Sequence, residues 1–254
     1  MRFLKGNSGL LCALALLPLF FIYIDKPAML LLRDFHKSAL ALHSLTERIA
    51  PAVNILTHGT TIIALCCALI LFGRRFKQEL TATGSALLKG FIVSGIAVQV
   101  LKHLIGRARP RITEEFLATG PTLKGGFDSL PSGHTAVMFC LAYILAQRFP
   151  RYRSIVYLSA FITGLMRTVY MSHFPSDVLA GAVVGLAVGK LLTAAVPSRA
   201  NANSLGKAYN RKRAKLMQSP AILETYPEVR RRRRKPFGQQ EPIYGKEALQ
   251  NRRR

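Results

Sequence analysis

The sequence predicts an all-α, polytopic membrane fold, a bundle of six transmembrane helices with an interfacial helical segment after the first span. Three observations predict it. Half of the 254 residues are hydrophobic although Lys and Arg outnumber Asp and Glu by 36 to 12. That charge is segregated, since Pro197 to Arg254 holds sixteen Lys/Arg against four Asp/Glu, a net of +12 and half of the chain's +24. The remaining body is apolar in blocks close to the roughly 20 residues that a spanning helix needs.

Six blocks approach that length: 8–24, 54–73, 82–104, 134–149, 155–172 and 177–196. Arg2 and Lys5 precede the first, but no small-x-small cleavage site follows Ile22-Tyr23-Ile24-Asp25, so it is expected to be a retained anchor. Residues 25–53 mix Lys26, Arg33 and Lys37 with Asp25, Asp34 and Glu47, and the runs Leu30-Leu31-Leu32 and Ala39 to Leu45 predict a partly helical segment lying along the interface. Arg2/Lys5, Arg74-Arg75-Phe76-Lys77, Arg148 to Arg153 and the basic tail fall on one side of a six-span arrangement, which the positive-inside rule makes cytoplasmic. Both termini are then cytoplasmic in a bacterial inner membrane, and segment 25–53, loop 105–133 and connection 173–176 face the periplasm. Cys12, Cys66, Cys67 and Cys140 all lie in apolar blocks, which predicts small buried side chains rather than a disulfide framework.

That topology brings three polar clusters to one face. The first runs from Lys102 to Arg109-Pro110; a spacing of seven is about two helical turns and predicts one face, with Gly106 and Pro110 ending the helix. The second, Pro131-Ser132-Gly133-His134, directly precedes an apolar span, so Ser132 is placed to cap a helix whose free amide donors form an anion site. The third is Arg167, His173 and Asp177, with the histidine in a turn containing Pro175. Each alone has an ordinary reading as a snorkelling cation, a helix cap or an interfacial histidine. Together they place strong cations and two histidines on the face opposite the one that carries the orienting charge, and ionisable groups facing a bundle interior mark a site.

The chemistry that fits is attack on a phosphomonoester or diphosphate. Lys102, Arg109 and Arg167 would meet the charge of the phosphoryl group. His173 would act as nucleophile with one ring nitrogen held by Asp177, and His134 would protonate the leaving oxygen and later activate water. Neither facing carboxylates nor a His-x-x-x-His or Cys-x-x-Cys pattern adjoins these residues, so no metal or other cofactor is expected. His36, His43, His58 and His103 match no cluster and are expected to be structural or interfacial.

These residues resemble the three-part signature of the type 2 phosphatidic acid phosphatase family. In this chain it runs from Lys102 to Arg109-Pro110, from Pro131 to His134, and through Arg167, His173 and Asp177 over about residues 95–196. Met166 stands where the family has a serine before the arginine. The resemblance implies a six-span membrane enzyme and a metal-independent phosphohistidine on His173. It also implies His134 as acid and base, and phosphate held by Lys102, Arg109, Ser132, Gly133 and Arg167. Membrane location adds a phosphorylated lipid as the expected substrate, with phosphatidate, phosphatidylglycerophosphate, undecaprenyl diphosphate and lipid A all open. A lipid-to-lipid phosphotransferase would use the same site, and a non-catalytic scaffold would not need it.

The expected organisation is a membrane phosphatase domain over 1–199 and a basic, disordered cytoplasmic tail over 200–254. Arg211-Lys212-Arg213 and Arg230 to Lys235 favour anionic lipid headgroups over nucleic acid as the tail's partner. The sequence does not specify an oligomeric state.

Overall fold

The computed structural model describes residues 8–38, 44, 48, 51–55 and 57–194. The expected tail and His43 lie outside these residues. The described residues form helices α1 (Ser8–Leu19), α2 (Asp25–Ser38), α3 (Gly59–Phe76), α4 (Gln78–Ile105), α5 (Gly133–Arg148), α6 (Arg153–Val169) and α7 (Pro175–Ala194). Among them the sole β pairing is an isolated antiparallel bridge between Arg107 and Ala118. The fold is all-α.

The N-terminal helix corrects one expectation. Asp25 was expected to end the first span and open an interfacial segment, but α1 passes through a π-helical turn, Phe20–Ile24, directly into α2. Pro18 lies just before that turn and lacks the amide hydrogen of a regular turn, a recognised cause of local helix distortion. Asp25 is therefore a mid-helix carboxylate, and it is buried.

Four helical stretches are long and apolar enough to cross a membrane: Gly9–Ser38, Gly59–Phe76, Gln78–Ile105 and Pro175–Ala194. At 16 and 17 residues, α5 and α6 are shorter. Large apolar side chains are exposed along these elements, including Leu71 and Phe72 on α3, Ile96 and Val100 on α4, and Ile155 and Phe161 on α6. Water would not tolerate so much apolar surface, whereas lipid solvates it. The buried core is small and sits between helices, with Ile62, Cys66, Leu87, Val137, Cys140, Ile144 and Val188 in contact.

What positions the site is the α5/α7 pair. Gly181, Gly185 and Gly189 recur every four residues and form one stripe on α7, the small-residue pattern that lets helix backbones approach. A Cβ on Gly181 would stand 2.6 Å from the Ser132 carbonyl oxygen, and one on Gly185 would collide with the Ala136 carbonyl. This close approach seats the start of α5 beside the start of α7, where the Ser132 amide donates to the Asp177 carbonyl at 2.9 Å. Gly185→Ala is accordingly expected to destabilise the protein by about 1–3 kcal/mol, the range for an overpacked contact. Thermal unfolding in detergent measures this, and an unchanged midpoint would mean that the helices can separate freely.

Candidate active site

The first cluster does not lie on one helix. α4 ends at Ile105, and Gly106 takes the left-handed conformation at φ 60° with its amide bonded to the Lys102 carbonyl. Lys102 therefore sits on the last turn of α4, whereas Arg109 belongs to the following loop. A third residue joins them: Asp128 accepts two hydrogen bonds from Arg109, at 2.9 and 2.6 Å, and stands 3.7 Å from Lys102 Nζ. The Arg109 guanidinium, assisted by Lys102, holds the Asp128 carboxyl down at about 2 against partial burial, so it is ionised at ordinary pH.

Loop 106–132 is pinned to α4 by its own backbone. The amides of Thr119, Gly120 and Thr122 donate to the carbonyls of Gly106, Ile105 and His103. His103 Nδ1 adds a bond to the Thr122 carbonyl at 3.1 Å, a structural role in keeping with its lack of a motif position. The loop is also tied to the N-terminal helix, because Lys26 pairs with Glu115 at 2.9 Å and Arg33 pairs with Glu114.

The second cluster opens α5. Ser132 occupies the N-cap position, but its side chain makes no cap bond; instead its Oγ accepts from Thr135 Oγ1 at 2.9 Å. Gly133 and His134 form the first turn, where amide donors have no helical partners. His134 is half-buried and lies within electrostatic reach of Lys102, Arg167 and His173.

In the third cluster α6 ends in a Schellman motif, with the Ser172 amide on the Arg167 carbonyl and the Met171 amide on the Thr168 carbonyl. Met171 takes the left-handed position at φ 52°, where glycine is usual. The reversal turns the chain so that the His173 amide also reaches the Arg167 carbonyl, at 3.2 Å. Pro175 then opens α7 with φ already suited to a first turn. Arg167 is buried, donates from Nη2 to Thr57 Oγ1 at 3.3 Å, and leaves Nε without a protein partner among the described residues. A buried guanidinium edge with an unused donor suits an incoming oxyanion.

The expected grip of Asp177 on His173 is not the one found. His173 Nδ1 lies 2.8 Å from the Ser129 carbonyl oxygen, while Asp177 Oδ2 is 3.7 Å away. A carbonyl only accepts, so the neutral ring carries its proton on Nδ1 and leaves the Nε2 lone pair free. The Asp177 carboxylate is occupied by Arg107 Nη1 at 2.5 Å, Ser129 Oγ at 2.5 Å and the Phe174 amide at 2.9 Å. Burial pushes His173 below its ordinary 6.5; Asp177 opposes this, and Lys102 and Arg109 reinforce it.

The structure thus brings Lys102, Arg109, His134, Arg167 and His173 to one end of the bundle, with Ser132 and Gly133 at the adjoining helix start. Sequence reasoning missed Asp25, Thr57, Arg107, Asp128 and Ser129. An acidic residue directly after an apolar block was the available signal for Asp25, since such a carboxylate ordinarily has a buried partner.

Asp128 takes up cationic charge that would otherwise be open to an incoming anion. Its pair with Arg109 is about one-third exposed on both sides, and such pairs contribute about 1 kcal/mol or less. Asp128→Asn is therefore expected to lower KM by a factor of up to about five with kcat little changed. A raised KM would show instead that the carboxylate holds Arg109 in its binding position.

A family model described as the PAP2 superfamily matches residues 83–200. Among curated proteins, a lipid A 1-phosphatase of Rhizobium etli is 36% identical over 119 residues, 46% of this chain and 51% of the relative. A lipid A 1-phosphatase of Porphyromonas gingivalis is 37% identical over 137 residues, 51% of this chain and 28% of that protein. The chain spans about half the length, or less, of these relatives. The crystal structure of a transmembrane PAP2-type phosphatidylglycerolphosphate phosphatase from Bacillus subtilis shares the fold, at TM-score 0.54 and 22% identity, over 75% of this chain and 95% of that one.

Proposed function

We propose that this chain, whose residues 83–200 match the PAP2 superfamily, is a membrane phosphatase of that superfamily removing phosphate from a lipid headgroup through His173. The observation that carries this reading is the environment of His173. The residue is buried, with Nδ1 fixed on a backbone carbonyl so that Nε2 is the unprotonated nitrogen of the neutral ring, within electrostatic reach of Lys102 and Arg109. Arg167 adds an unused donor to the same end of the bundle.

Catalysis then has two halves. The Nε2 lone pair of His173 forms a bond to phosphorus as the bond from phosphorus to the lipid oxygen breaks. His134, which takes up a proton once the phosphate anion offsets the cations around it, delivers that proton to the lipid oxygen, which leaves as a hydroxyl. In the second half His134 takes a proton from water while the water oxygen bonds phosphorus. The N–P bond breaks, and its electron pair returns to His173. Lys102, Arg109, Arg167 and the first amides of α5, around Ser132 and Gly133, stabilise the oxygens of phosphorus throughout. These groups supply the charge that a metal would otherwise provide, so the reaction runs without one.

The curated relatives' names make a lipid A 1-phosphate the first substrate to test. The full arrangement is six spans with the site on the periplasmic side of the bacterial inner membrane and both termini in the cytoplasm. Residues 1–199 form the enzyme, and the basic segment 200–254 meets anionic lipid.

The test is phosphate release from lipid A, phosphatidate, phosphatidylglycerophosphate and undecaprenyl diphosphate by the full chain in detergent, with and without EDTA. Release from lipid A that persists in EDTA is the expected result. Inhibition by EDTA would overturn the metal-free scheme. Appearance of the phosphate on a second lipid would make the enzyme a phosphotransferase.

A further inference from the structure

Behind His173 lies a buried ion network that the proposed reaction does not use directly. The Arg107 side chain is fully buried, packed against Phe174, Phe116 and Phe21 with its guanidinium carbon 4.1, 4.9 and 5.0 Å from the ring centres. Its Nη1 donates to Asp177 at 2.5 Å and to Ser176 Oγ at 2.6 Å, and its Nη2 donates to Asp25 at 2.7 Å. Asp25 also accepts from the Ser176 amide at 3.0 Å and from the Ser176 hydroxyl. One guanidinium is thus shared by two carboxylates, one from the N-terminal helix and one from the first turn of α7.

We infer that Asp25 and Arg107 are positioning residues for the phosphoryl-transfer histidine, acting through Asp177 and Ser129. The inference rests on the reading of His173 as nucleophile. Arg107 fixes one oxygen of Asp177, so that the other meets both Ser129 Oγ and the Phe174 amide. Ser129 in turn holds His173 Nδ1 through its carbonyl. A one-to-one pair of Arg107 and Asp177 would cancel the aspartate's charge. The second carboxylate, Asp25, leaves the trio with a net charge of −1 beside the imidazole. That charge costs energy in a dry interior, and it is best balanced when the ring becomes cationic on bonding phosphorus. Asp25 lies outside the matched span 83–200, so this contribution comes from a helix that the family signature does not include.

The experiment compares Asp25→Asn, Asp25→Glu and Ser176→Ala in the full chain in detergent. The reading is kcat per active site, the sites being counted by the amplitude of acid-labile phosphoenzyme. Asp25→Asn keeps the shape but loses the charge, and it is expected to lower kcat about 10- to 100-fold with KM within about twofold, the scale of a misplaced reacting group. Asp25→Glu should recover a substantial part of that loss. Ser176→Ala retains every charge and gives a milder test should Asp25→Asn not fold; it is expected to lower kcat about threefold or more at unchanged KM. Wild-type kcat per site in Asp25→Asn or in Ser176→Ala, or an equal loss in Asp25→Asn and Asp25→Glu, would overturn the inference. His173→Ala, run in parallel, separates the two ideas. An active His173→Ala enzyme sinks the nucleophile assignment, whereas an inactive one beside an unaffected Asp25→Asn sinks only the positioning role.

Discussion

Replacing His173 with alanine is expected to reduce phosphate release by about 10⁴-fold or more, the scale on which removal of a covalent nucleophile acts. His134 also lies at the cationic end with Lys102 and Arg167, and it would lose its own role by attacking phosphorus. Phosphate release from purified His173→Ala within tenfold of wild type would move the nucleophile elsewhere. The wild-type enzyme should also yield a phosphorylated His173 on rapid quenching, labile to acid as an N–P bond is.

The pH dependence follows from the same geometry. Burial disfavours the imidazolium, so the free enzyme keeps His173 neutral and nucleophilic below its ordinary 6.5. The acid limb of kcat/KM is therefore expected below pH 6.5. The sign for stability is separate. A histidine whose folded pKa is lowered binds its proton more readily when unfolded, so its contribution to stability is lost as pH falls from the unfolded value toward the folded one. An acid limb above the ordinary histidine value would mean that Asp177, rather than burial, governs the ring.

The cationic end of the bundle was legible because its cations and histidines sit at fixed spacings around helix ends. Gly106 and Pro110 marked the end of α4 and Ser132 the start of α5, whereas α7 opens at Pro175, two residues before the span expected from 177; these boundaries carry the cations and histidines. What a pattern of spacings cannot convey is which acceptor a side chain reaches. Asp177 lies four residues from His173 and was the natural partner, yet Arg107, Ser129 and the Phe174 amide occupy it, and a backbone carbonyl takes its place. Arg107 and Asp25 were hidden for a related reason. They lie 82 positions apart, and only the uninterrupted run of α1 into α2 carries the carboxylate to the guanidinium. The break expected at Asp25 came from treating a charge as the end of an apolar block. A charge with a buried partner need not be an end at all.

His134 offers the second large effect, and one that divides the reaction into its halves. With a lipid monoester the departing oxygen is a poor leaving group and needs a proton, so His134→Gln should lower kcat by about 10²- to 10⁴-fold, the range for one general acid–base group. With p-nitrophenyl phosphate the phenolate departs unprotonated, so the first half should proceed at close to the wild-type rate. Water attack on the phosphohistidine would still lack its base. The variant should therefore release about one equivalent of nitrophenol per enzyme in a burst and then stall, with phosphate retained on His173. His134 stands at the opening of α5 within reach of both His173 and Arg167, a location from which one imidazole would serve the leaving oxygen first and the water afterwards. An equal loss on both substrates, with no burst and no trapped phosphoenzyme, would instead assign His134 to phosphate binding and leave the acid and base to another group.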